Sequence, residues 1–389
     1  MQMADDGARV RELARLFLRL GATSFGGPAA HIALMHVELV KRRRWLSEQD
    51  FVDLVGAANM IPGPNSTEVA IHVGYARAGW RGLLTSGACF ITPSMLIVGV
   101  LAWVYVRYGS LPDVRGVLYG VTPVVVVIIA HALWTFAHTT VKSVWLGCVC
   151  AAAVTAAAAG IHELIVLAAG ALAGVLQWSF SARAMPRSPR ADSEGAGRLI
   201  WLPVLSAAPV AAAATPVTLG TLSAVFFKTG ALLFGSGYVL LAFLRHDLIE
   251  RLGWLTDQQL LDAVAVAQVT PGPLFTTATF VGYVLAGFSG AAVATVAIFV
   301  PAFVYVAASA PWIPRLRRSP VARAILDGVN VAAVAVMAVV SWQIARAAVR
   351  DIPTLAILVV VFTVVLLRAR VNSAWLILGG GLAGWMVRG

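Results

Sequence analysis

Between Ala263 and Pro314 the chain runs for 52 residues without one Asp, Glu, Lys or Arg. A bilayer-spanning helix needs roughly 20 apolar residues, so this stretch has room for more than one pass. Hydrophobic residues make up 59% of the chain and charged residues 12%; soluble domains hold about half and about a quarter. Only helices and closed barrels satisfy their backbone in hydrocarbon, and segments of this length are helical. The chain is expected to be an all-α polytopic membrane protein.

Near its start the run contains Thr270-Pro271-Gly272-Pro273, the second occurrence of a design first met at Ile61-Pro62-Gly63-Pro64. Proline removes a backbone donor and clashes with the preceding turn, while glycine permits a sharp reversal. Leu46 to Met60 reads as an amphipathic helix, Asn65 to Ala78 reads as another, and the Pro-Gly-Pro forbids joining them. At an offset of 209, Gly21 matches Gly230, Phe25-Gly26 matches Phe234-Gly235, Trp45 matches Trp254, and Asp53 matches Asp262. One residue is then lost, and at 208 Gly74-Tyr75 matches Gly282-Tyr283, Pro93 matches Pro301, and Gly120 matches Gly328. The chain is a tandem duplication. Residues 1–182 form one repeat, 183–198 a polar cytoplasmic linker, 199–217 a candidate extra inverting helix, and 218–389 the second repeat.

Leu83 to Val106, Gly116 to Ala137, Ser143 to Ile161 and Leu164 to Ala182 are each expected to cross. Leu13 to Lys41 is broken at Phe25-Gly26-Gly27-Pro28, and Phe51 to Gly79 at the Pro-Gly-Pro. The limbs of the latter are too short to span roughly 30 Å, and such breaks are tolerated only where protein surrounds them. Lys41 to Arg44 carries four positive residues while Glu250 to Gly253 carries one; Arg315 to Arg323 carries four arginines against two in Arg107 to Arg115. This reversal of bias is the mark of an inverted-topology repeat. Leu199 to Phe227 offers 29 uncharged residues for the crossing that would invert the second half.

The net charge of +11 follows from these flanking clusters, and no basic stretch is long enough or interleaved with aromatics to bind nucleic acid. Cys89, Cys148 and Cys150 read as small core residues, and His31, His72 and His131 as core or interface histidines. With no Walker loop, carboxylate cluster or His/Cys metal set, the chain is expected to be no enzyme and to need no cofactor or metal.

The limb after Pro64 opens Asn65-Ser66-Thr67, and the limb after Pro273 opens Leu274-Phe275-Thr276-Thr277. Helix starts present unpaired N–H groups and the positive end of a dipole. Two facing starts would form an anion site, with Gly63 and Gly272 permitting the corners; the alternative is that the corners are architectural and the hydroxyls cap their own helices. Gly26, Gly27, Gly235 and Ser236 are a second pair of breaks, where glycine allows a ligand or a crossing helix to approach. Lys228, the counterpart of Arg19, either attracts an anion or snorkels. Glu68, one turn into its limb, is a candidate proton carrier or a partner for Arg77 or His72.

Phe25-Gly26-Gly27-Pro28, Trp45-Leu46 with Asp50, and Pro62-Gly63-Pro64, repeated in weaker form 209 residues on, resemble the chromate ion transporter family. The resemblance covers nearly the whole chain and implies two fused halves in the bacterial inner membrane. It also implies export of chromate from the cytoplasm, conferring resistance and driven by proton-motive force or anion exchange (antiport). Pro28 has no counterpart at Gly237, so the two halves differ at the glycine break. Chromate and sulfate share charge and tetrahedral shape, so a sulfate or other oxyanion carrier, or an anion channel, stands as the alternative. Beyond the oxyanion and the lipid bilayer, a homodimer is the one partner such a chain leaves open.

Overall fold

The structure is a computed structural model and describes residues 2–184, 216–234, 237–309, 319–367 and 372–388. Residues 185–198 of the linker, 199–215 of the candidate extra crossing, Gly235, Ser236 and Arg315 to Arg318 lie outside the described residues. All regular structure among the described residues is helical.

The first half contains α1 (Gln2–Thr23), α2 (Gly27–His36), α3 (Glu48–Ala58), α4 (Asn65–Tyr108), α5 (Pro112–Thr140), α6 (Val144–Ala158) and α7 (Glu163–Ala184). The second contains α8 (Leu219–Leu232), α9 (Leu240–Leu244), α10 (Asp257–Val269), α11 (Thr277–Ser309), α12 (Pro320–Ala348), α13 (Ile352–Leu367) and α14 (Ser373–Arg388). A π-helical turn follows α2 at Val37–Arg42 and α9 at Arg245–Arg251, so the duplication extends to local irregularities. Among the described residues, five segments are long and apolar enough to cross a membrane: Asn65–Tyr108, Pro112–Thr140, Glu163–Phe180, Leu274–Ser309 and Pro320–Ala348.

Two of these are hairpins rather than rods. Within α4 the backbone leaves helical geometry at Ala78 and Gly79, and within α11 at Ala286 and Gly287. The flanking limbs double back until a β-carbon on Gly74 would lie 2.2 Å from the Gly82 carbonyl oxygen; one on Gly282 would lie 2.3 Å from that of Gly290. The limb from Asn65 therefore returns to the end from which α3 began. There the Arg77 guanidinium stacks on Trp45, 4.0 Å from the ring centroid, and Arg43 approaches the same ring at 5.1 Å.

Glycine contacts also set how the halves meet. On α5, Gly120 faces Gly380 and Gly384 of α14; on α7, Gly170 and Gly174 face Gly328 and Ala324 of α12. Each half thus lays its last helix on the other half's central helix, with backbones close enough to exclude any side chain. The counterparts α5 and α12 run in opposite directions. Lys142, just past the end of α5, pairs with Asp327 near the start of α12 at 3.7 Å. Tyr119, near the start of α5, hydrogen-bonds Asp351 past the end of α12. One core crosses the boundary, joining Val121 to Ile129 of α5 with Phe275, Phe280 and Phe299 of the second half. Outward faces are apolar too: Leu84, Leu96, Val100, Leu366 and Leu382 are exposed, which suits a lipid surface.

Two ion-paired groups recur at the 209 offset. Glu38 takes Arg19 and Arg42, each at 2.7 Å; Asp247 takes Lys228 at 2.5 Å and Arg251 at 3.1 Å. The cysteines differ from the sequence reading. Cys148 is exposed, while Cys89 and Cys150 are half-buried and pack against the hydrophobic core.

Candidate functional site

Each Pro-Gly-Pro corner is fastened to the glycine break of the opposite half. Gly63 donates its N–H to the carbonyl of Leu233 at 2.8 Å, and Gly272 donates to that of Ser24 at 2.9 Å. Leu233 is the counterpart of Ser24, so the two bonds are related by the duplication. Both glycines need positive φ, 138° at Gly63 and 96° at Gly272, which L-residues rarely adopt. Space is short as well: a β-carbon on Gly63 would lie 2.4 Å from Glu68 Oε1, and one on Gly272 would lie 2.6 Å from the Ser94 β-carbon.

The first limb starts at Asn65, and the Pro64 carbonyl accepts from the amides of Thr67 and Glu68 at 2.8 and 3.0 Å. The amides of Asn65 and Ser66, ahead of them, are the helix-start donors that no turn carbonyl can reach. Asn65 turns its side chain back to Asn59 at 2.7 Å. Ser66 bonds His31 Nδ1 at 3.3 Å, and His31 Nε2 reaches the Ser24 carbonyl at 3.1 Å. A carbonyl can only accept, so Nε2 carries the proton and Nδ1 accepts the Ser66 hydroxyl. His31 thereby locks the glycine break to the limb start.

Thr67 and Glu68 are fully buried, and neither the Thr67 hydroxyl nor either Glu68 oxygen has a hydrogen-bond partner. Nearby His72 is 2% exposed with Nε2 unpartnered. Buried polar groups without partners are rare and costly.

The second limb starts differently. Thr276 Oγ1 bonds the Pro273 carbonyl at 2.8 Å and Ser94 Oγ at 3.0 Å, while Thr277 Oγ1 bonds the Leu274 carbonyl at 2.7 Å. Both hydroxyls are satisfied within the protein. At the 208 offset Thr276 stands where the first half has Glu68, and Ser94 stands where the second has Ala302. The first corner faces an alanine methyl with a carboxyl, and the second pairs two hydroxyls.

Gly26 and Gly27, with φ of 101° and 81°, turn the chain from α1 into α2; a β-carbon on Gly27 would lie 3.7 Å from the Tyr238 hydroxyl. Lys228 is ion-paired with Asp247, so its charge is compensated before any anion arrives. Of the residues singled out from sequence, Gly63, Ser66, Thr67 and Glu68 converge with Gly272 and Thr276 on one seam, and Lys228 belongs to a separate ion pair.

Sequence reasoning passed over a cavity of about 280 Å³ lined by Tyr105, Arg115, Gln258, Asp262, Arg350 and Arg388, with residues of both halves around it. Asp262, 2% exposed, accepts from Tyr105 at 2.9 Å and from Gln258 at 2.9 Å. Its signals in sequence are its match to Asp53 and its place as the last charge before the 52-residue run. At the rim, the hydrogen bond from Tyr119 holds the Asp351 carboxyl below the usual carboxylate range, helped by bonds from Thr354 and the Arg388 charge.

Three comparisons bear on this arrangement. The sequence model of the family described as "Chromate transporter" matches residues 11–175 and again 220–385. A protein of Synechococcus elongatus named "Probable chromate transport protein" is 35% identical over 351 residues, 90% of this chain and 88% of its own. The "Chromate transport protein" of Cupriavidus metallidurans is 34% identical over 378 residues, 96% of this chain and 92% of its own. That of Pseudomonas aeruginosa is 30% identical over 383 residues, 95% and 91%. No solved structure matches.

Proposed function

The chain belongs to the chromate transporter family, and from that premise we propose that it exports chromate from the bacterial cytoplasm across the inner membrane and so confers resistance. It is a multi-pass transporter and not an enzyme. The two halves are proposed to lie in the membrane with inverted topology. Lys41 to Arg44, the 183–198 linker and Arg315 to Arg323 would be cytoplasmic, with a crossing in 199–217. The antiparallel course of α5 and α12 supports this reading.

The proposed anion site is the seam between the corners. Asn65, Ser66 and Thr67 would supply donors from one side, Gly63 permits the corner ahead of them, Gly272, Thr276 and Thr277 shape the other side, and Gly26 and Gly27, with Gly235 and Ser236 as their counterparts in sequence, are proposed to complete it. One observation carries it: the limb start at Asn65 ends in a buried hydroxyl, that of Thr67, with no partner in the protein. A dianion there would take that hydroxyl and the free amides, each charge-assisted bond worth about 1.5–3 kcal/mol. Lys228 is proposed to hold Asp247 rather than the anion.

Glu68 is the proposed coupling group. Ionised, it repels a dianion at the same limb; protonated, it can donate to one. Proton and dianion would then move together, and the net negative charge would leave down a membrane potential worth about 2.3 kcal/mol per charge per 100 mV. Anion exchange is the mode that needs no proton.

The test is flux of radiolabelled chromate and sulfate in proteoliposomes under imposed pH and potential gradients. Saturable chromate flux with counterflow stimulation is expected. Sulfate moving equally well makes the protein a general oxyanion carrier, and flux without trans-stimulation makes it a channel.

A further inference from the structure

At one end of the molecule the fold gathers residues that sequence spacing keeps far apart. His162 and Glu163 lie where α6 hands over to α7 in the first half; His246 and Glu250 lie on the π-helical turn before α10 in the second. One ligand atom each from His162, Glu163 and His246 falls within a 4.8 Å span. Glu163 Oε2 is 3.5 Å from His162 Nδ1 and 3.6 Å from His246 Nδ1, and His246 Nδ1 is 3.2 Å from Glu250 Oε2. The two imidazoles meet edge to face with centroids 4.7 Å apart.

We infer that these four residues bind a divalent transition-metal cation of the Zn²⁺ class, clipping the two halves together. Tetrahedral zinc with bonds of about 2.0–2.1 Å sets its ligand atoms about 3.3 Å apart, close to the separations found here. The donors are imidazole and carboxylate, which suit zinc, nickel or copper and not magnesium.

A second, independent observation points the same way. Glu163 is only 5% exposed and its Oε1 has no hydrogen-bond partner. A cation satisfies that oxygen; two neutral imidazoles leave it bare. The Leu164 amide donates to His162 Nδ1 at 3.2 Å, so that nitrogen carries the ring's lone pair on the side facing Glu163, and a metal bound there would replace this bond. Arg245, in the lining, spreads its charge over Glu250, Asp257 and Gln343, and Lys228 is ion-paired with Asp247. A cavity of about 140 Å³ bounded by Gly160, Glu163, His246 and Gln343 leaves room for a bound water.

The experiment is titration of the purified full chain in detergent with Zn²⁺ against a chromogenic chelator, with Co²⁺ absorption reporting ligand geometry. One equivalent should bind with a micromolar or tighter Kd, and Co²⁺ should give tetrahedral d–d bands. His246→Ala and Glu163→Gln should each weaken binding at least tenfold, while His138→Ala leaves it unchanged. Glu163→Gln keeps the side chain's shape, so it decides the matter if an alanine variant does not fold. Absence of saturable binding overturns the site. So does stoichiometric binding that survives in the His162→Ala/His246→Ala double variant. The readout involves no chromate, so it stands or fails apart from the transport reading.

Discussion

The backbone N–H of Gly63 reaches the carbonyl of Leu233 at 2.8 Å, joining the corner of the first half to the glycine break of the second. The reciprocal bond from Gly272 to Ser24, at 2.9 Å, makes the seam a closed exchange in which neither corner is supported by its own half alone.

Gly63→Ala and Gly272→Ala should both lower transport, with the second the more damaging. Each forces an alanine into positive φ, a cost of about 1–2 kcal/mol. At Gly63 the new methyl meets a carboxylate oxygen on a side chain that can turn; at Gly272 it meets the Ser94 β-carbon, which cannot. Unfolding midpoints of the purified variants should rank parent, Gly63→Ala, then Gly272→Ala.

Thr67→Val and Thr276→Val separate binding from architecture. The Thr67 hydroxyl has no partner, so its loss should leave the unfolding midpoint near the parent's while chromate affinity falls about tenfold, since 1.4 kcal/mol is one decade. Thr276→Val breaks bonds to Ser94 and to the Pro273 carbonyl and should cost about 1 kcal/mol of stability. If Thr67→Val binds and moves chromate like the parent, the anion sits elsewhere.

Glu68→Gln should remove the pH dependence of flux yet leave chromate exchange running between compartments of equal pH. Persistence of the parental pH profile in this variant reduces Glu68 to a structural group.

Cysteines placed at Lys41 and at Arg251, on a background lacking the three native ones, should react with an impermeant reagent from opposite faces. Reaction from one face ends the inverted arrangement.

Asp351 gives a prediction about acid. Its carboxyl is held low by Tyr119, Thr354 and Arg388, so its contribution to stability is fully present above the ordinary carboxylate pKa of about 3.9. It is lost as pH falls through the lower folded value. Asp351→Asn should therefore unfold earlier than the parent at neutral pH, and the two should converge as pH falls through the lowered folded value.

The duplication was legible because a constant offset of glycines, prolines and tryptophans survives wherever backbones must touch or turn. Gly74 with Gly82, and Gly282 with Gly290, show what that offset preserves: the inside of a hairpin. Limb starts at Asn65 and after Pro273 could be placed because Pro-Gly-Pro forbids a continuous helix on either side. What the corners touch could not. The Gly63–Leu233 bond joins residues whose separation no local pattern encodes. Hydroxyl direction was hidden likewise. Thr276 and Thr277 fold their side chains onto their own turn, while Thr67, of the same type, is left open by its buried surroundings. His162 and His246 carry no recognisable spacing, because they meet only through the packing of two halves.

The crossed corner bonds have a consequence for assembly. Each half, taken alone, leaves one glycine N–H without its acceptor and deprives one break carbonyl of the other half's amide, and lacks the helix that covers its own middle. Expressed as two polypeptides, residues 1–182 and 183–389 should each be short-lived in a cell and should rescue one another when made together. The peptide link between them would then be a matter of stoichiometry, not of architecture.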